Sequence, residues 1–270
     1  MTTQQHFRTV WISDIHLGYK DCKADYLLDF LKRSKIETLY LVGDIVDMWA
    51  MSKRFLWPQA HNELFHYLLN LSRSGTKVIY LPGNHDEPCQ KYDGMCFGDV
   101  EIHREYIHTT ADGKKLLLLH GDIFDSEVCF GPVTAWIGDK GYELLLFLNR
   151  WYNKARAWLG FPYWSLAGYI KSKISGANEA IERYRVASTN RARELGLDGV
   201  VCGHIHHPEV VEMDGVTYYN DGDWIENCSA LTENKQGEIA LITWTQTANQ
   251  EATVHAISDL QKGRQGQKAA

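Results

Sequence analysis

The chain has 270 residues, 44% of them hydrophobic and 23% charged, and a formal net charge of −6. That length accommodates one large α/β domain with an insertion and does not call for two independent cores, while the balance excludes a disordered or fibrous chain. The acidic total argues against nucleic acid as a partner, because phosphate-backbone binding relies on clustered Lys and Arg.

In chain order, short apolar runs alternate with helical patterns. Thr9 to Ile12 reads as a strand, Ala24 to Arg33 as a helix, Leu39 to Val42 as a strand, Gln59 to Arg73 as a helix and Val78 to Leu81 as a strand. Such alternation predicts β-α-β units in a largely parallel sheet. Val100 to Ile107 and Lys115 to Leu119 then flank Asp112-Gly113, a pair that favours a tight hairpin turn, so antiparallel strands are expected there.

From Pro132 to Leu195 the pattern is helical, with Leu144, Phe147, Leu148, Trp151, Ala155 and Leu159 on one stripe and Glu143, Arg150 and Lys154 on another. Between Ser126 and Leu195 ten Lys/Arg face six Asp/Glu, so this stretch carries +4 and the remainder −10. Beyond it, Gly199 to Cys202, the Val210 to Tyr219 stretch turning at Asp214-Gly215, and Ile239 to Trp244 read as strands. The expected division is a core of residues 1–131 and 196–260, a helical insert or cap at 132–195, and a disordered polar tail at 261–270.

No apolar run approaches the length of a bilayer span, the polar opening Met1 to His6 does not read as a signal peptide, and the six cysteines form no C-x-x-C pair. A cytoplasmic protein with reduced thiols is the expectation.

Five strands in succession end in residues that bind metals: Ser13-Asp14-Ile15-His16, Gly43-Asp44, Gly83-Asn84-His85-Asp86, His120-Gly121-Asp122 and Gly203-His204-Ile205-His206. In an α/β sheet the carboxyl ends of the strands share an edge where ligands bind, so residues far apart in sequence converge there. Asp14 and His16, like His204 and His206, stand two apart, a spacing that in extended backbone sends both side chains to one side. Glycines at 43, 83, 121 and 203 suit sharp exits from a strand. Carboxylate, imidazole and amide donors without thiolate fit Mn²⁺, Fe or Zn²⁺ better than Ca²⁺ or copper.

At these residues the sequence resembles the calcineurin-like metallophosphoesterase superfamily, whose D-x-H, G-D-x-x-D, G-N-H-D/E, lone His and G-H-x-H signature is matched between residues 14 and 206. The resemblance implies a four-layer αββα sandwich with a helical cap, and two divalent ions, Asp14, His16, Asp44 and His206 on one and Asp44, Asn84, His120 and His204 on the other. His85 would sit beside the scissile phosphate with Asp86 orienting its ring. Asp47 and Asp122 are expected as hydrogen-bond acceptors behind the ligands. His207 is expected to point away, and His6, His61, His66, His103, His108 and His255 to be surface or packing residues.

Within the superfamily the chain looks most like the bacterial UDP-2,3-diacylglucosamine pyrophosphatase group of lipid A synthesis, through its length, its helical insert and Asn220-Asp221-Gly222-Asp223-Trp224. That likeness implies a Mn²⁺-dependent enzyme that splits a lipid nucleotide into UMP and a lipid phosphate, touching the inner membrane peripherally. Trp136, Trp151, Trp158 and Trp164 with Arg150, Lys154, Arg156, Lys171 and Lys173 are the cap residues that could seat an apolar tail beside an anionic head. One departure stands out: typical members carry G-N-R-D, and this chain has His85 in place of the arginine. An arginine forks onto phosphate whereas a histidine exchanges a proton near neutrality, so a soluble nucleotide or small phosphate ester is the alternative substrate. A non-catalytic binding scaffold is the third reading, disfavoured because all seven ligand types remain.

Overall fold

A computed structural model describes residues 4–128, 132–161, 163–171, 175–244 and 253–256. The expected tail at 261–270 lies outside the described residues, as does Lys173, and the side chains of Trp136 and Lys171 fall outside them too.

The elements are β1 (Gln5–Ile12), α1 (Ala24–Arg33), β2 (Ser34–Leu41), α2 (Met48–Lys53), α3 (Gln59–Arg73), β3 (Lys77–Tyr80), β4 (Cys96–Phe97), β5 (Val100–Ile102), β6 (Tyr106–Thr109), β7 (Lys115–Leu118), α4 (Asp125–Val128), α5 (Pro132–Trp158), α6 (Leu166–Lys171), α7 (Ser175–Glu194), β8 (Gly199–Cys202), β9 (Glu209–Met213), β10 (Val216–Asn220), β11 (Ser229–Glu233), β12 (Ile239–Thr243) and β13 (Thr253–Ala256). They form an eight-stranded sheet ordered β13-β12-β11-β1-β2-β3-β5-β4 and a five-stranded sheet ordered β6-β7-β8-β10-β9. β1, β2 and β3 run parallel in the first sheet, and β7, β8 and β10 in the second.

Strand alternation sorts the side chains into three cores. Val10 and Ile12 of β1 pack on Leu27, Phe30, Leu31, Leu64 and Leu68 of α1 and α3. Trp11, between them, points to the opposite face, where it joins Tyr40, Ile79, Leu116, Leu118 and Val201 between the two sheets. Leu117, Val200, Cys202 and Tyr218 face outward from the second sheet against Tyr184, Ala187 and Ala192 of α7. Helix, sheet, sheet and helix therefore stack as the four layers of an αββα sandwich.

Two sequence expectations change form. The single strand expected from Val100 to Ile107 is two: β5 pairs in parallel with β3 in the first sheet, and β6 pairs antiparallel with β7 in the second. The chain crosses between sheets at His103–Glu105, which a run of strand-forming residues does not disclose. Within the 132–195 helical stretch, α7 supplies the outer layer of the second sheet, so its buried residues belong to the sandwich core.

The apolar stripe read on α5 does not face the core. Leu144, Phe147, Leu148, Trp151 and Leu159 are all exposed, Trp151 by 57%. The buried face instead carries Leu146 and Asn149, whose side chain donates to Tyr163 Oη at 3.0 Å and accepts from Leu166 N at 2.9 Å.

Glu233 ties the two sheets together. It accepts from Arg8 Nη1 at 2.7 Å, Thr9 Oγ1 at 2.5 Å, Ala111 N at 2.7 Å and His108 Nε2 at 3.1 Å. Burial works to raise its carboxyl, but the bonds from His108, Thr9, Ala111 and Arg8 prevail and hold it at about 2 against an ordinary 4.5. A carboxyl depressed in the folded state stabilises fully above its unfolded value and loses that contribution as pH falls through its folded value. Glu233→Gln should therefore destabilise the protein by roughly 3 kcal/mol at neutral pH. Chemical denaturation should show the gap to wild type closing as pH drops from about 4.5 towards 2; an unchanged midpoint at neutral pH would rule out this role.

Candidate metal centre

Five loops leave the parallel strands at one edge and are stitched to each other. Asp14 N donates to Gly43 O at 3.0 Å, His16 N to Asp44 O at 2.9 Å and Gly203 N to His120 O at 3.1 Å. Asp14, His16, Asp44, His204 and His206 all have positive φ, between 50° and 67°. The expectation that extended backbone aims each D-x-H and H-x-H pair to one side is thus corrected: left-handed turns aim them. His204 and His206 accordingly part company, His206 meeting Asp14 and His16 while His204 meets Asp44 and His120.

Glycine is required where these loops touch. A Cβ on Gly83 would overlap Asp44 Oδ1 and the His120 ring, and one on Gly203 would overlap Ser13 Oγ and Asp14 Oδ2.

Asp14 Oδ2 accepts from Ser13 Oγ at 2.5 Å and from His204 N at 2.8 Å. Its Oδ1 is buried with no hydrogen-bond partner, 3.2 Å from His206 Nε2 and 3.7 Å from His16 Nε2, itself buried and without a partner. Asp44 Oδ2 lies centrally, 3.4 Å from His120 Nε2, 3.7 Å from His16 Nε2 and 4.0 Å from His85 Nε2. Asn84 Oδ1 approaches His120 Nε2 at 3.2 Å. All seven side chains expected as ligands are thereby brought together.

The far sides of the rings are anchored. His120 Nδ1 donates to Val42 O at 2.9 Å, and His16 Nδ1 to Asp47 Oδ2 at 3.0 Å, so each presents Nε2 to the centre. These orphaned buried atoms, oxygen and imidazole donors converging with their backs tied, fit divalent cations. The electrostatics agree. Burial works against charge on His16 and His120, yet Asp14, Asp47 and Asp44 push His16 up to about 10, and Asp44 and Asp14 raise His120 well above its ordinary value. Burial would raise Asp44, but His120 and His16 hold it at about 2. So much negative charge in one buried place favours any cation, and a divalent one competes with the imidazole protons.

Asp86 does not orient the His85 ring. Its oxygens accept from Gly83 N at 2.5 Å, Ile45 N at 2.8 Å and Asp44 N at 3.3 Å, so it clamps two loops from below. Asp47 takes the orienting role, its Oδ1 3.0 Å from His85 Nδ1. Asp122 opens a short 3-10 turn beside His120; the carboxylate that meets an imidazole there is Asp125, 2.6 Å from His204 Nε2. Sequence reading also missed Trp49, whose ring centroid is 4.4 Å from that of His85. Trp49 stands two residues past Asp47 and Asp125 three past Asp122, and neither spacing singles them out in the sequence.

The late N-D-G-D-W segment braces the ligand loops. Asn220 Nδ2 donates to Gly203 O at 2.7 Å, and Asp221 Oδ1 lies 2.6 Å from Ser13 Oγ. His207 turns to Glu209, 3.5 Å away; His108 is buried in the Glu233 network, and buried His61 accepts from Gly18 N at 3.0 Å.

The sequence model of the calcineurin-like phosphoesterase family matches residues 7–208. Among curated relatives, a UDP-2,3-diacylglucosamine hydrolase of Haemophilus influenzae strain PittGG is 26% identical over 251 residues, 86% of this chain and 97% of the relative. Those of Pasteurella multocida strain Pm70 and Aliivibrio fischeri strain MJ11 are 24% and 29% identical, over 87% and 82% of this chain and 98% and 92% of theirs.

Because Asp47 anchors both His16 and His85, Asp47→Ala should loosen two rings at once. Metal affinity, measured by titration of chelated protein, should fall roughly 10–100-fold; wild-type affinity would dismiss the anchor.

Proposed function

Since the chain belongs to the calcineurin-like phosphoesterase family and is a metal-dependent phosphoric ester or anhydride hydrolase, we propose that it cleaves a lipid nucleotide of the UDP-2,3-diacylglucosamine kind into UMP and a lipid phosphate. The observation that carries the reading is the convergence of Asp14 Oδ1, Asp44 Oδ2 and the Nε2 atoms of His16, His120 and His206. Asp14, His16 and His206 on one side and Asp44, His120 and His204 on the other, with Asn84 beside His120, are the side chains that would hold the two ions. When bound, two such ions acidify a water and offset charge growing on the phosphate oxygens. Mn²⁺ is the proposed metal, with Fe or Zn²⁺ as alternatives.

His85 would meet the phosphate from beside His16, the two ring centroids lying 4.6 Å apart. With Nδ1 bonded to Asp47 and its ring against Trp49, it turns Nε2 towards Asp44 Oδ2, 4.0 Å away. From there it can hold charge on the phosphate or pass a proton to the departing oxygen.

The substrate class rests on the part of the helical insert that α7 leaves outside the sandwich, α5 and α6 with the segment between them, which would serve as a cap. Its exposed Trp151, Trp158 and Trp164 are interleaved with Lys154 and Arg156, Lys154 Nζ standing 5.0 Å over the Trp151 ring. An outward apolar stripe with cationic flanks suits acyl chains and an anionic head, and peripheral contact with a lipid surface. Among the described residues no helix is long and apolar enough to cross a membrane. Arg150, its guanidinium 5.9 Å from the Phe147 ring, also pairs with Asp21 at 2.9 Å and ties α5 to the loop after His16.

His85 also supports a second reading, a soluble phosphodiester substrate. Anhydride cleavage expels a phosphate, a leaving group that needs charge compensation; ester cleavage expels an alkoxide, which needs a proton. Histidine supplies the proton and arginine cannot.

Mn²⁺-loaded enzyme should turn over UDP-2,3-diacylglucosamine with kcat/KM far above that for bis-p-nitrophenyl phosphate, and Trp151→Ala with Trp158→Ala should lower only the former. The reverse preference would select the soluble ester. His85→Ala should retain metal while losing roughly 10²–10⁴-fold in turnover of an alkyl phosphodiester, and less on a p-nitrophenyl ester. Equal losses on both would remove proton donation from the account.

A further inference from the structure

A second recess adjoins the centre on the side away from the cap's anchor. It encloses about 350 Å³, with a floor of Pro82, Leu119 and His120 and a rim that includes Arg104, Asp122 and Ile123. Its position relative to the cap is set by chain connections. Arg150 grips Asp21 and Tyr163 Oη reaches Ile225 O at 3.5 Å, so the cap is tied to the loops after β1 and β10, beside Asp14, His16 and His206. The recess borders His120 instead, where Gln90 of its wall donates to Gly83 O at 3.0 Å. Asp44 lies between the two sides.

We infer that this recess takes the nucleoside half of the substrate. The inference rests on the phosphoesterase reading above and deepens it: with an acyl-bearing half on the cap side, the recess across Asp44 is placed to take the other half of a diester. The volume is at the small end of ligand pockets, roughly 300–1,000 Å³, which admits a ring system of nucleoside size but not a diacylated sugar. Pro82, Leu119 and Ile123 offer apolar surface to the face of a base. Asp93, Glu105 and Asp122 outnumber Arg104, so a second phosphate is repelled, whereas carboxylates accept from ribose hydroxyls and Arg104 donates to base carbonyls. Arg104 is held over the recess by its backbone, whose N–H donates to Asp93 Oδ1 at 3.0 Å.

Ile123 and Arg104 are exposed, so Ile123→Trp, which fills the recess, and Arg104→Ala leave the core alone. In the full Mn²⁺-loaded chain, kcat/KM would be measured on uridine 5′-(p-nitrophenyl phosphate) and on bis-p-nitrophenyl phosphate. The ratio of the two should fall about tenfold in each variant, the size of one lost polar or steric fit, and UMP should bind correspondingly more weakly by calorimetry. A ratio within about twofold of wild type in both variants overturns the assignment. So does a matching fall for the p-nitrophenyl ester of glucose 1-phosphate, which would give the recess to a hexose. Should wild type cleave neither ester, the phosphoesterase reading fails by itself. UMP calorimetry then decides the recess alone: binding weakened by Ile123→Trp upholds it, and binding that is undetectable or unaltered overturns it.

Discussion

Backbone that leaves the β conformation at the strand ends sets the conditions for the rest of the molecule. Asp14, His16, Asp44, His204 and His206 hold left-handed φ values, a region that costs non-glycine residues of order 1–3 kcal/mol each. Such strain persists only when surroundings over-determine it. Here they do: Asp14 N and His16 N are bonded to the neighbouring loop, Trp224 N donates to Asp14 O, and Asp86 accepts from three backbone amides beneath. The same turns that raise the energy of the loops also point carboxylates and imidazoles at a common volume.

That arrangement explains why the sandwich needs two sheets at this spot. β1, β2 and β3 deliver Asp14, Asp44 and Asn84 from one sheet, while β7 and β8 deliver His120 and His204 from the other. Neither sheet alone carries a full donor set. The inter-sheet core of Trp11, Tyr40, Ile79, Leu118 and Val201 therefore fixes the distance between the carboxylates of one sheet and the imidazoles of the other, and a repacked core would be felt at the centre.

Much of this was legible in the sequence because apolar runs and punctuating ligand motifs are local signals. The helices Ala24–Arg33 and Gln59–Arg73 fall where periodicity puts them, and the seven ligand candidates converge as strand-end logic requires. What stayed hidden depends on partners distant in sequence. Nothing local says that Asp47 rather than Asp86 faces the His85 ring, or that Asp125 meets His204. Nor does a hydrophobic stripe disclose which way it faces: the α5 pattern is amphipathic, yet Asn149 and Leu146 turn inward while Trp151 and its neighbours stay in water. Periodicity reports that a helix has two faces, and tertiary context chooses between them.

Asp47 shows how few groups connect these levels. One carboxylate accepts from His16 and His85, and also caps α2 through Ala50 N at 2.7 Å. Burial opposes its charge, but bonds from His16 and His85 hold it well below the usual carboxylate range. A shared acceptor makes the His16 and His85 rings mutually dependent, since a shift of either alters the field on the other. An arginine at position 85 would bring a permanent charge and five donors to that carboxylate, competing with His16 for it. Imidazole donates a single bond to Asp47 through Nδ1 and leaves Nε2 outside that bond. His85, where the resemblance leads one to expect an arginine, is thus held by the same carboxylate that holds His16, so a substitution there would be felt on both rings.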